Sequence, residues 1–415
     1  MSKFFAKYKK VIVDLIYSTV SYAAPVFCLQ FIVQPLIAQI LGAEKNGLFL
    51  TIIALNYFIV NITATVLHTV RLLSNSKYEE ENLKGDFNIL WLAFTALNVI
   101  IMTVGVISYT NSSNIAEIVL SAAIVVLFMY HDYITVQYRV KLSYNKIFID
   151  NMILCVGYFL GLGFLKLTGY WQFVFIAPYA ASAVFNYFNT DFIREPFKIT
   201  KLFKATSLKY LALAGSVALG TCVNYCDRLI LYPLLGGEQV SIFTAASIMG
   251  KMLALVSTPL SNVILSYVVK IKDFKIKFKK IYIVIAVAGL IGAYFLMNAV
   301  SIPLLNFLYP EYSNESLAYV QLTTVLGIIT LLTLISNTLV LRFSKPRWQI
   351  IANGTYLSIY FVVSLTLLHF YGLYGFCVGN IIAAIFKFAI IGNAAIRGVK
   401  KEIAKTDKTE ETVEK

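Results

Sequence analysis

Apolar runs of membrane-crossing length recur along the whole chain, separated by short polar connections. A helix needs about 20 residues to cross a hydrocarbon core. Twelve segments meet that length, centred on residues 11–33, 47–70, 87–108, 115–137, 147–165, 171–190, 208–235, 240–268, 281–300, 317–341, 349–369 and 373–396. Each is predicted to be a membrane helix. The first follows the basic stretch MSKFFAKYKK, and Tyr22-Ala23-Ala24 offers the small residues of a cleavage site. Its counterpart at 208–235 is internal, so the first is read as a retained helix rather than a signal peptide.

The pattern also repeats. Gln34–Asn56 (QPLIAQILGAEKNGLFLTIIALN), laid over Leu229–Gly250 (LILYPLLGGEQVSIFTAASIMG) 194 positions further on, matches at Leu41/Leu235, Gly42/Gly236, Glu44/Glu238 and Phe49/Phe243. Each copy is an apolar run, a tight glycine turn and a second apolar run. A repeat near half the chain length predicts two related bundles, as in many transporters. The expected organisation is an N-terminal six-helix lobe over 1–190, a linker at 191–207, a second six-helix lobe over 208–396 and a charged tail from 397 to 415.

Composition excludes a soluble protein. Hydrophobic residues make up 59%, charged residues 13%, and the mean hydropathy is +0.75, so the fold class is an all-α integral membrane protein. The net charge of +14 could suggest nucleic acid, but the cations are distributed between apolar segments rather than gathered on one solvated face, which argues against that partner. They sort by side instead. With the N-terminus cytoplasmic, 30 of the 35 Lys and Arg residues fall in inner loops and tails, and only Lys45 and Lys166 fall outside. This asymmetry predicts twelve helices with both termini in the cytoplasm.

No soluble domain interrupts the chain. The linker 191–207, with REPFKITKLFKATS at its heart, reads as a basic amphipathic segment lying on the membrane surface. The tail RGVKKEIAKTDKTEETVEK has no apolar face and predicts disorder after Lys401. All five cysteines (Cys28, Cys155, Cys222, Cys226 and Cys377) lie in apolar segments as small buried hydrophobes. No ligand set for a metal is complete and no cofactor motif is present.

Several stretches together resemble a known family. PLIAQILGAEKNGLF in the first helix pair, NYCDRLILYPLLGGEQVSIFTAASIM in the seventh and eighth helices, VQYRVKLSYNKIFIDN at the fourth and fifth, and FYGLYGFCVGNIIAAI in the last two are similar to polysaccharide flippases of the Wzx type. That superfamily also holds multidrug MATE exporters and the peptidoglycan-precursor flippase. Its loose motifs here are the glycine turn, the helix-seven Asp227, and Gly372 and Gly375 opening helix twelve. The resemblance implies two lobes of six helices around a central cavity. It also implies movement of an undecaprenyl-diphosphate-linked oligosaccharide to the outer leaflet of a bacterial cytoplasmic membrane, for O-antigen or capsule synthesis. Expected partners are that lipid-linked substrate, membrane lipid, a polysaccharide polymerase and a chain-length regulator.

Charges inside the apolar runs point to a compatible site. A charge at the bilayer centre costs at least about 2.5–3.5 kcal/mol on insertion scales and so needs a reason. Helix seven places Val217, Gly220, Thr221, Asn224 and Arg228 on one stripe, and helix eight does likewise with Thr244, Ser247, Lys251 and Thr258. Arg228 and Lys251 would lie roughly 10 and 15 Å below the outer surface. A diphosphate suits such cations, Arg as a bidentate fork and Lys as a point charge. Structural bridging to other helices is the alternative for both. Lys387 either lines the cavity or snorkels to the surface. Arg71 sits at a helix exit as a headgroup contact or an interfacial anchor. His68, Asp132 and Asp227 are candidates for substrate binding, ion coupling or interhelical hydrogen bonds. Asp14 is a coupling carboxylate or a terminal charge.

Two other classes are open. A cation-coupled MATE-type exporter shares the architecture, but would favour acidic groups where this chain offers Arg228 and Lys251. A membrane polymerase or acyltransferase needs a catalytic constellation, and the longest outer loop, SIPLLNFLYPEYSNES, has Glu311 and Glu315 without a His or basic partner.

Overall fold

A backbone crossing hydrocarbon must satisfy its polar groups within its own segment, so the apolar runs of this chain become helices. The computed structural model describes residues 21, 23–110, 114–253, 280–344 and 347–413. A π-helical turn, Cys28–Val33, leads into α1 (Gln34–Glu80), followed by α2 (Asp86–Thr110), α3 (Ile115–Ile134), α4 (Val136–Val140), α5 (Tyr144–Thr168) and α6 (Phe173–Asn189). Next come α7 (Phe203–Leu235), α8 (Gly237–Ala246), α9 (Lys280–Leu308), α10 (Ser313–Phe343) and α11 (Arg347–Ile359). A second π-helical turn, Tyr360–Ser364, then leads into α12 (Leu365–Val413). No strand occurs among the described residues.

Eight of the described helical stretches are long and apolar enough to cross a membrane. Two of them, Ala23–Glu80 with 58 residues and Arg347–Val399 with 53, exceed a single crossing. Both are broken inside by a glycine with positive φ, at Gly42 (φ 74°, ψ 168°) and Gly372 (φ 57°, ψ −145°). The protein is thus a multi-pass, all-helical membrane protein. Gly236, the counterpart of Gly42 in the repeat, closes α7 in the same backbone state, φ 86° and ψ 174°. That region is reserved almost entirely for glycine, which explains why glycine stands in both copies. Glu44, the matched acid of the first copy, accepts the backbone N–H groups of Gly237 (3.1 Å) and Glu238 (2.9 Å).

The chain divides into two compact units, Met1–Glu238 and Gln239–Lys415. This division falls after α7, whereas the sequence pattern places it at the linker 191–207. Contacts within the first unit give the reason. There α7 runs along α1: Tyr57 stacks on Tyr225 with centroids 5.8 Å apart, Tyr210 donates to the Thr63 carbonyl (3.2 Å), and Tyr109 of α2 donates to the Leu229 carbonyl (3.1 Å). Elsewhere in this unit α1 also packs on α2 and α3, α3 on α6, and α5 on α6. Gly157 and Gly161 leave room for the α6 backbone at Pro178 and Val174, the small-xxx-small contact of membrane helices. In the second unit α10 and α11 pack on α12, and α9 on α10.

Burial is arranged for lipid. On α2 the exposed row is Leu92, Leu97, Ile100, Ile101 and Val104, while Thr95 and Asn98 are buried. On α5 Val156, Phe159 and Leu160 are exposed and Asp150 and Asn151 buried. Apolar side chains outside and polar ones hydrogen-bonded inside are what a hydrocarbon solvent favours.

The tail differs from expectation: α12 continues through Val413 instead of ending near Lys401. A charged segment appended to a formed helix only has to propagate it, and avoids the costly nucleation step that keeps such segments unfolded alone.

Candidate functional site

In the first unit α1 and α7 present a row of polar side chains at mid-helix. Tyr57, Asn61, Thr65 and His68 follow one another at spacings of four, four and three on α1. Asn61 Nδ2 donates to the Tyr57 carbonyl (2.7 Å) and reaches Tyr225 Oη of α7 at 3.5 Å, and Thr65 Oγ1 reaches Asn61 Oδ1 at 3.4 Å. Thr65 and Asn224 are exposed although their helices are apolar. Arg228, one turn beyond Asn224, is half-buried, and its Nε is buried with no acceptor. Asp227 does not neutralise it: Asp227 Oδ1 accepts the backbone N–H of Arg228 (2.8 Å). Among the described residues no carboxylate forms an ion pair with Arg228.

Behind this face lies a titratable cluster built from α3, α5 and α6. His131 bridges two carboxylates, with Nδ1 3.3 Å from Asp132 Oδ1 and Nε2 2.9 Å from Asp150 Oδ2. The Asp132 side chain is 36% exposed, that of His131 13% and that of Asp150 2%, so the three run from an accessible acid to a sealed one. Asp150 Oδ1 also accepts from Ser182 Oγ (2.6 Å) and Asn186 Nδ2 (2.9 Å), and Tyr138 Oη donates to Asn186 Oδ1 (2.7 Å). A buried carboxylate is stable only when paired and hydrogen-bonded in this way. His68 joins from α1, its Nδ1 3.0 Å from the Asp132 carbonyl oxygen, while its Nε2 is buried without a partner.

Arg71 is placed apart from this face. It is 3% exposed, forms a bidentate pair with Glu195 (2.9 and 2.6 Å), and its guanidinium lies over the rings of Phe87 (4.6 Å) and Phe192 (4.1 Å). Arg71 therefore fastens the linker. The linker is held at further points. Asp86 Oδ1 accepts from the Thr200 N–H (2.6 Å) and Asp86 Oδ2 from Thr200 Oγ1 (2.6 Å) and Tyr78 Oη (2.7 Å). Asn88 Nδ2 donates to the carbonyl of Glu195 (2.8 Å), and Gln137 Oε1 accepts the Asp191 N–H (2.7 Å). The exposed Asp191 carboxyl is held below its usual range by hydrogen bonds from Gln137 and Lys141. The segment is a 3₁₀ turn, Phe192–Arg194, followed by non-helical chain up to α7.

In the second unit Lys387 of α12 is half-buried, with Nζ 5.3 Å from the centroid of the Tyr356 ring and no carboxylate partner among the described residues. Two turns before it on α12, Asn380 Oδ1 accepts from Tyr356 Oη of α11 (3.2 Å). Lys251 is half-buried and helical, its N–H bonded to the Ser247 carbonyl (3.1 Å). On the same stripe Thr244 is buried and Ser247 Oγ donates to the Phe243 carbonyl (2.7 Å), while Thr258 and Asp14 lie outside the described residues. Sequence reasoning missed Asp150, Ser182, Asn186, Asp86 and Glu195. Asp150 was the findable one, since it too is an acid inside an apolar run. Among the described residues no cluster of His, Cys, Asp and Glu could hold a metal ion.

No protein-family model matches the chain, and no curated protein matches it. Its fold does match solved structures. A multidrug resistance MATE family transporter of the MOP superfamily, inward-facing, is similar at a TM-score of 0.66 and 14% identity over 95% of this chain and 99% of that one. The lipid II flippase MurJ, in an inward closed conformation, gives 0.63 and 13% over 94% and 90%. A MATE protein in a bent conformation gives 0.54 and 15% over 98% and 97%. At these identities the likeness is one of fold: the chain has the helical architecture shared by MATE transporters and MurJ.

Proposed function

We propose that this protein is a flippase that carries an undecaprenyl-diphosphate-linked oligosaccharide across the cytoplasmic membrane, presenting one site alternately to each side. The observation that carries the reading is Arg228, a cation without a carboxylate partner among the described residues, beside exposed Asn224 on a polar face at mid-helix. A diphosphate cannot cross hydrocarbon bare, because an unpaired charge there is expensive. A carrier must offer cations and polar groups at depth while the polyprenyl tail stays in lipid. Arg228 would take the headgroup as a fork, with Asn224 bonding phosphate or sugar; Lys251 and Lys387 of the second unit are, each by itself, further cations able to pair with phosphate. That one structural neighbour is a lipid II flippase supports the substrate class. The structural neighbours are transporters and a flippase, which supports transport over polymerisation or acyl transfer.

The test is surface polysaccharide in a flippase-null host, with membrane abundance followed by blot. Arg228→Ala is expected to abolish polysaccharide at unchanged abundance, and Arg228→Lys to retain part, because charge persists while the fork is lost. Full polysaccharide with both Arg228 and Lys251 replaced by Ala would place the substrate site elsewhere.

A second reading has its own observation. The accessible-to-sealed order of Asp132, His131 and Asp150 suits a transporter coupled to protons or another cation, and a MATE neighbour is a multidrug transporter. Drug resistance in an exporter-deficient strain, lost on Asp150→Asn, would favour this reading over the flippase.

A further inference from the structure

The linker has a face that none of the transport chemistry uses. Between Arg194 and Lys209 the linker and the first turns of α7 carry five cations (Arg194, Lys198, Lys201, Lys204 and Lys209) and one acid, Glu195, which Arg71 already neutralises. Lys198 and Lys204 are exposed and form no ion pair among the described residues. Lys201 meets Glu81 at 3.0 Å but is 70% exposed. Beside them Phe197 and Ile199 are 55% and 62% exposed, in a segment whose backbone is pinned at Glu195 and Thr200. Such cations and apolar side chains, held outward by buried anchors, form a fixed patch rather than a loose loop.

Its depth follows from the helices it joins. The exposed row of α6 ends in Val184, Tyr187 and Phe188, and that of α7 begins with Leu208 and Leu211 directly after exposed Lys204. Aromatic residues of this kind mark the membrane–water interface. Arg194 is fixed at that level, donating to the Tyr187 carbonyl (2.9 Å) with its guanidinium 5.1 Å from the Tyr187 ring centroid. The lipid-facing rows stop where the lysines start, which is where phosphate groups lie.

We propose that residues 194–209 are a docking site for anionic phospholipid, with Phe197 and Ile199 entering the acyl boundary and Lys198, Lys201 and Lys204 binding the phosphodiester. This site is independent of the transported substrate. Each lysine near an anionic surface contributes about fivefold in affinity, so removing three weakens binding roughly a hundredfold.

The experiment is native mass spectrometry of the full-length protein in detergent, titrated separately with phosphatidylglycerol, phosphatidylcholine and a long-chain isoprenyl diphosphate. The wild type is expected to retain phosphatidylglycerol over phosphatidylcholine. The combined variant Lys198→Gln, Lys201→Gln, Lys204→Gln should lose that preference, its exposed substitutions leaving thermal unfolding unchanged. The separate variant Phe197→Ser with Ile199→Ser should weaken retention of both phospholipids. Undiminished phosphatidylglycerol binding by the triple lysine variant would overturn the proposal. So would tighter binding of the isoprenyl diphosphate that disappears in the same variant, because the patch would then serve the substrate and not the surrounding lipid.

Discussion

Arg71 and Arg228 both belong to apolar helices, and their surroundings give them opposite roles. Arg71 meets Glu195 in a closed bidentate pair between two aromatic rings, with both side chains under 10% exposed. Arg228 has a buried Nε without an acceptor and a neighbouring acid turned to the backbone. Membrane insertion penalises a charge that lacks compensation, so a cation left in this state is where an anionic ligand would lower the energy most. The two aspartates flanking His131 differ in the same manner. Asp150→Ala would strand His131, Ser182 and Asn186 at once, a loss of about 3 kcal/mol or more. Asp132→Ala removes a partly exposed carboxylate and should cost under about 1 kcal/mol. Thermal unfolding of the purified variants checks this, and equal losses would contradict the burial order.

At the scale of elements, the linker and the repeat turns show what a sequence can and cannot disclose. The turns were legible: a backbone state that admits little but glycine forces the same residue into Gly42 and Gly236, and the match is visible 194 positions apart. The linker's basic character was legible, but its anchors were not. Glu195 and Thr200 find Arg71 and Asp86 across 124 and 114 positions of chain, and hydropathy carries no information about such pairings. The Asp150 network was hidden for the same reason, since Ser182 and Asn186 come from another helix. The linker account predicts strong coupling in a double-mutant cycle. Arg71→Ala or Glu195→Ala alone leaves the other charge buried, at about 3–5 kcal/mol, while the double variant loses clearly less than the sum. Additive losses would mean that the pair does not hold the segment.

For the whole molecule, helical content and multiple membrane passes follow from composition and run length, which hydrocarbon thickness makes readable. Where the chain divides is a matter of packing. α7 lies along α1 through Tyr57–Tyr225 and Tyr210–Thr63, contacts that apolarity alone does not rank above others. The helical continuation to Val413 escaped for a related reason, as composition describes a segment by itself and not as an extension of its neighbour. What the molecule does turns on whether its polar face carries a lipid-linked diphosphate. The most direct measurement is flipping of a fluorescent undecaprenyl-diphosphate oligosaccharide in liposomes containing the purified protein, read as the growing fraction open to a membrane-impermeant quencher. The account predicts that wild-type protein exposes label initially confined to the inner leaflet, and that Arg228→Ala behaves like protein-free liposomes. Wild-type protein no faster than empty liposomes, or Arg228→Ala as fast as wild type, would contradict it.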